Sequence, residues 1–188
     1  MKRKRLVFHI ILIISLYNCQ LVGPRAIHAP LFDAKGEKHL AVLASSTSGL
    51  DIQYDYAFSD KSFLMTDFSA VYAFQISSIG GSLALGRYKS IGKRGKLSFY
   101  GGATLGSYGQ TNNRNTRNSF ILPYAGLNIG LRTKYLEPVF TTRLSHNTYL
   151  RDLGRIDRAY PALESAITLR FGAKNLKFHS QLGISYPL

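Results

Sequence analysis

From Lys38 onward the chain alternates apolar and polar positions with a period of two. In the last segment Leu176, Phe178, Leu182, Ile184, Tyr186 and Leu188 share one face, with Ser180 as the single interruption. Lys177, His179, Gln181, Gly183 and Ser185 share the other. Leu163, Ser165, Ile167, Leu169 and Phe171 oppose Glu164, Ala166, Thr168 and Arg170. Leu97, Phe99, Gly101, Ala103 and Leu105 oppose Ser98, Tyr100, Gly102, Thr104 and Gly106. Ile121, Ala125, Leu127, Ile129 and Leu131 stand against Tyr124, Gly126, Asn128 and Gly130. Neighbours on a helix recur every 3.6 residues, so only extended strands put these sets on single faces. The pattern predicts an all-β chain.

The expected strands cover 38–46, 50–58, 62–74, 80–90, 96–108, 119–132, 135–146, 161–172 and 175–187. Short connections are expected at 59–61, 92–95, 133–134 and 173–175, and longer ones near 75–79, 110–118 and 147–160. Short and long connections would then gather at opposite ends, as in outer-membrane barrels. Such barrels have even strand numbers. The expectation is therefore a closed antiparallel up-and-down β-barrel of eight strands, with 38–46 outside it, or of ten. The apolar face has two candidate solvents: lipid outside the barrel, or a greasy pocket within a soluble lipocalin-like carrier. The polar faces hold few charges, of both signs: Asp51, Asp55, Glu164, Arg170 and Lys177, with Glu137 and Arg143. Glycines on those faces would leave room for such side chains. A soluble exterior would be richer in Lys and Glu, so the pattern favours lipid outside and ions inside.

Ahead of the strands, Lys2-Arg3-Lys4-Arg5 precedes an apolar run, Leu6 to Leu16, and then Leu16-Tyr17-Asn18-Cys19. A run of this length is too short for a membrane-spanning helix, which needs about 20 residues. The order is that of a bacterial lipoprotein signal, with residues 1–18 as signal peptide and Cys19 as the lipid-attachment residue. Residues 19–37, with Pro24, Pro30 and Gly36, read as a lipidated tether of little structural weight, and 38–188 as the barrel domain. Cys19 is the sole cysteine, so no internal disulfide can form.

Composition agrees with strands and tight turns, with no Trp but 12 Tyr, 11 Phe and 17 Gly. Without the four basic residues of the signal, the 24 Lys and Arg fall to 20 against 10 acidic residues, about +10. Such an excess suits outer-membrane lipid, anionic glycolipid or polysaccharide, and contact with other envelope proteins. Export to the cell outer membrane excludes nucleic acid as a partner.

Gly49-Leu50-Asp51-Ile52-Gln53-Tyr54-Asp55-Tyr56-Ala57 and Phe99-Tyr100-Gly101-Gly102, with Thr142-Arg143-Leu144-Ser145, Leu163 through Phe171 and Lys174 through Phe178, span most of the chain after the tether. Together they resemble small outer-membrane β-barrel lipoproteins of Bacteroidota, mostly uncharacterised. The resemblance implies an exported barrel lipid-anchored at the outer membrane. It implies no activity and no catalytic residues.

Candidate chemistry is sparse. His28, His39, His146 and His179 show no metal-ligand spacing, and no nucleophile elbow or phosphate loop is present. No cofactor is expected. Arg143-Leu144-Ser145-His146-Asn147-Thr148 faintly resembles a stretch of outer-membrane lipid A deacylases. That reading needs a hydroxyl nucleophile, His146 as base, and Glu164 or Asp152 to orient it. Thr148 stands where the nucleophilic serine would be, and Ser145 precedes the histidine, so a polar strand end is the simpler reading. Arg114 and Arg117 in one expected loop, and Arg151, Arg155 and Arg158 in another, would form anion-binding loops if both lie at one rim. The opposite turns are basic too, at Lys93, Arg94, Lys96, Lys134 and Lys174, so charge alone does not select an end. The sequence thus leads to a non-enzymatic outer-membrane β-barrel lipoprotein, structural or accessory to an envelope assembly.

Overall fold

A computed structural model describes residues 27–45, 49–73, 76–110, 118–151, 155–173 and 176–188. They form nine strands: β1 (Lys38–Ser45), β2 (Gly49–Tyr56), β3 (Ser62–Ala73), β4 (Ile76–Ile91), β5 (Gly95–Gln110), β6 (Asn118–Leu131), β7 (Leu136–Arg151), β8 (Arg155–Ala173) and β9 (Leu176–Pro187). They make one up-and-down sheet in chain order, every neighbouring pair antiparallel. No helix occurs among the described residues.

The strand count corrects the expectation of eight or ten. β1 belongs to the sheet along its whole length, from Lys38 opposite Tyr56 to Ser45 opposite Gly49. The sheet is strongly curled, and β1 and β9 are its edges, not hydrogen-bonded to one another. With an odd number of strands the two edges run in the same direction. A cavity of about 20 Å³, room for about one water, is bordered by His39 and Leu43 of β1, His179 and Gln181 of β9, and Ile27 and Ala29.

The expected division into short and long connections also fails at two places. The stretch 75–79 is largely strand, since pairing of β3 with β4 continues to Ala73 opposite Ile76. The stretch 147–160 is a hairpin, whose ladder runs out to Arg151 opposite Arg155. Backbone pairing persists there after the apolar alternation of the sequence has stopped. One end of the sheet therefore bears the connections 57–61, 92–94 and 132–135, and is here the turn end. Gly92 supports the middle one with φ +63°, a left-handed conformation that suits glycine. The other end, with the β7–β8 hairpin and the 111–117 connection, is the mouth.

The two faces of the curl are opposite in chemistry. Outward positions are apolar and exposed: Leu182 is 80% exposed, Leu83 59% and Phe99 57%, with Phe68, Ile129, Leu144 and Ile167 alike. Inward positions are buried and include most of the polar side chains, among them Asp51, Asp55, Ser98, Asn128, Glu137, Thr141, Arg143 and Arg170, beside an apolar cluster around Phe63, Met65 and Tyr88. The greasy side of the sheet is its outside.

Inward glycines accommodate rings rather than ions. Phe63 lies directly opposite Gly86, Tyr100 opposite Gly126 and Phe120 opposite Gly106. At each of these glycines an added methyl would fall inside the van der Waals surface of the facing ring. Three strand pairs thus share one device: an aromatic side chain laid flat across a neighbouring glycine, which lets a narrow curl hold large residues.

Candidate functional site

The concave face is filled by the chain itself. Residues 19–37 were expected to be a tether of little weight, yet Ile27 to Phe32 are buried within the curl. Gln181 of β9 grips the start of this plug, accepting from Ile27 N–H (2.9 Å) and donating to Ile27 C=O (2.8 Å). A side-chain amide here supplies the two hydrogen bonds that a neighbouring strand would. Further along, Leu31 packs in a cluster with Ala29 and Val139, and Phe32 joins Phe63 and Tyr88 and stacks on His39 at 4.9 Å between centroids. Gly36, with φ +87°, turns the chain out of the curl, and Gly36 N–H and Glu37 C=O pair with Ala57.

His28 is the electrostatic anchor of the plug. Its Nδ1 lies 2.8 Å from Asp55 Oδ1 on β2 and its Nε2 3.0 Å from Asp67 Oδ2 on β3. With a carboxylate oxygen at each ring nitrogen, both nitrogens act as donors and the ring is an imidazolium. Burial opposes that charge, but the Asp55 charge and hydrogen bond, followed by those of Asp67, outweigh it. The His28 pKa is raised from 6.5 to about 9. Ser82 also donates to Asp67, and Tyr124 donates to Ser82 (3.4 Å).

At the turn end a second network ties the plug to the sheet. Arg132 donates Nη1–H to Leu31 C=O (2.9 Å) and pairs with Asp33 (3.1 Å) and Glu37. Asp33 also pairs with Lys96, and Glu137 lies between Arg132 and Arg170 (3.5 and 2.8 Å). Burial would raise the Glu37 pKa, but hydrogen bonds from His39, Arg132 and the Asp33 N–H hold the carboxyl well below the usual range. In the middle of the sheet Arg143 donates to Glu164, its direct cross-strand neighbour (2.6 Å), and lies over the Tyr124 ring at 5.0 Å. Toward the mouth Tyr108, Phe120, Tyr149 and Tyr160 form an aromatic cluster.

Of the residues singled out by sequence, Asp51, Asp55, Glu137, Arg143, Glu164 and Arg170 do face inward. A Ser145–His146 pair does not assemble. Ser145 and Glu164 face inward, with Ser145 donating to Asn147 (3.2 Å) and Glu164 bound to Arg143, whereas His146 faces outward opposite Pro161. Adjacent strand residues point to opposite faces, so His146 and Ser145 cannot form a dyad. Arg151, Arg155 and Arg158 lie on the β7–β8 hairpin and are exposed. Cys19, Arg114, Arg117 and Asp152 lie outside the described residues.

Sequence reasoning missed the His28 clamp. The signal was partial: alternation already placed Asp55 on a polar inward face, where a carboxylate needs a cation. Nothing in the spacing showed that the cation would come from 27 residues upstream. No family model, curated protein or solved structure matches this chain. The resemblance to outer-membrane barrel lipoproteins of Bacteroidota therefore rests on sequence patterns alone.

Proposed function

We propose that this chain is a lipid-anchored β-barrel of the bacterial outer membrane, filled by its own N-terminal segment, with a structural or accessory role in an envelope assembly. The inverted polarity of the sheet carries this reading: exposed Leu, Ile, Val and Phe outside, buried ions and hydroxyls inside. In water that arrangement leaves a large apolar surface uncovered, whereas acyl chains cover it without loss. Ile121 to Leu131, ten residue steps along β6, spans about 34 Å, or roughly 25 Å along the axis at a tilt near 40°. That matches the apolar band of outer-membrane barrels. Exposed Phe58, Tyr135, Phe171 and Phe178 lie toward the turn end, with Lys134 over the Tyr135 ring at 5.0 Å, as in an interfacial girdle. Lipid attachment at Cys19 would place the plug next to the membrane anchor.

A soluble lipocalin-like carrier needs an open apolar cavity, and here the interior is filled by ionic and aromatic side chains and by residues 27–32. Transport through an open lumen is equally disfavoured by the plug and the aromatic cluster above it. In the decisive test, the Cys19→Ser protein is purified with and without detergent and run on gels with and without boiling. Detergent dependence and a heat-shifted band support the membrane barrel. A monodisperse protein in plain buffer would refute it.

A further inference from the structure

The β7–β8 hairpin gathers three arginines on one face. Tyr149 pairs with Arg158, the register then shifts, and Leu150 pairs with Ile156 and Arg151 with Arg155. Directly opposed residues share a face, and one extra residue, Asp157, is inserted on β8. The bulge therefore brings Arg155 to the same inward face as Arg158, together with Arg151 and Tyr149, while Ile156 points outward and is 69% exposed. Arg151 and Arg155 stand directly across the ladder from one another. Asp157, Arg158 and Arg151 all lie within electrostatic reach of Tyr108.

The two ends of the sheet treat their inward cations differently. At the turn end Lys96 and Arg132 are matched by Asp33, Glu37 and Glu137. At the mouth, among the described residues, Arg155 and Arg158 have no carboxylate within ion-pair distance. Beneath them Tyr108 and Tyr160 are partly exposed members of the aromatic cluster. Forked N–H donors above tyrosine rings suit an oxyanion carried on a sugar, with the charge held by guanidinium pairs and the ring resting on the aromatic floor.

The geometry points to an anion-binding site at the mouth, formed by Arg151, Arg155 and Arg158 over Tyr108 and Tyr160, that takes a sulfated or phosphorylated polysaccharide from solution. The arginines face the axis of the curl rather than its lipid-facing rim, which favours a free chain crossing the mouth over a neighbouring lipid headgroup. This goes beyond the proposed function and depends on it only for which end meets the outside.

Binding of dextran sulfate to the full chain in detergent tests the site, with neutral dextran, single-stranded DNA and phosphatidylglycerol vesicles as comparisons. Dextran sulfate should bind in a salt-sensitive manner and neutral dextran should not. The Arg151→Gln/Arg155→Gln/Arg158→Gln protein should lose roughly tenfold to a hundredfold in affinity. A Lys93→Gln/Arg94→Gln/Lys134→Gln protein, altered at the turn end, should bind like the parent. Equal weakening in both variants, no binding by the parent, or a preference for DNA or vesicles over dextran sulfate would overturn the site. A heat-shifted band from the same preparations keeps the barrel reading separate: it can stand while the site fails, and the reverse.

Discussion

Replacing His28 with glutamine removes the imidazolium between Asp55 and Asp67 while keeping a hydrogen-bonding side chain of similar length. The His28 pKa is about 9 in place and 6.5 when the ring is in water. That gap corresponds to about 3 kcal/mol of docking free energy, at 1.36 kcal/mol per unit. Because the pKa is raised on docking, the contribution is complete below pH 6.5 and is lost as pH rises through about 9. Urea unfolding of the parent and the His28→Gln protein in the same detergent, at pH 6 and pH 10, measures it. The variant should be less stable by about 3 kcal/mol at pH 6, and the two curves should nearly coincide at pH 10. Other groups titrate over this range in both proteins, so the difference between them isolates His28. A gap of the same size at both pH values would refute the imidazolium clamp.

Gly126→Ala should destabilise by about 1–3 kcal/mol in the same assay, because the new methyl meets the Tyr100 ring, and Tyr100→Leu in the same chain should recover part of the loss. Glu164→Gln leaves the Arg143 guanidinium buried without its carboxylate and should cost about 3–5 kcal/mol. Replacing both partners by leucine should cost less than that, and a double replacement that is worse than either single one would contradict the pairing. Gln181→Ala removes both hydrogen bonds to Ile27 and should speed proteolysis or hydrogen exchange in the plug, with little change in the strands.

Strands were legible where one face meets a single uniform medium. Between Leu97 and Leu131, and again from Leu163 to Leu188, the alternation places nearly every outward residue correctly, because a slip of one residue would turn the whole apolar set inward. Legibility ended where that constraint ended. The hairpin around Arg151 and Arg155 looked like a loop because regular apolar–polar alternation is lost there, though its backbone stays paired. Segment 38–46 looked dispensable only because even numbers are usual; its pairing with β2 was already implicit in the alternation of Leu40 and Val42 with His39 and Ala41. The plug was illegible for a different reason. Ile27 to Phe32 form no regular element, and their burial depends on Asp55, Asp67, Arg132 and Gln181, up to 154 residues away. The glycines were read as space for ions, whereas Gly86, Gly106 and Gly126 face the rings of Phe63, Phe120 and Tyr100.

The absence of tryptophan makes the medium around the sheet directly measurable. Leu83→Trp on the outward face of β4 and Lys93→Trp in the β4–β5 turn, each the sole tryptophan, would be reconstituted in bilayers of ordinary and brominated phosphatidylcholine. Bromine on the acyl chains should strongly quench the emission at position 83 and leave position 93 open to aqueous iodide. Iodide quenching at position 83, with no effect of the brominated chains, would contradict the account.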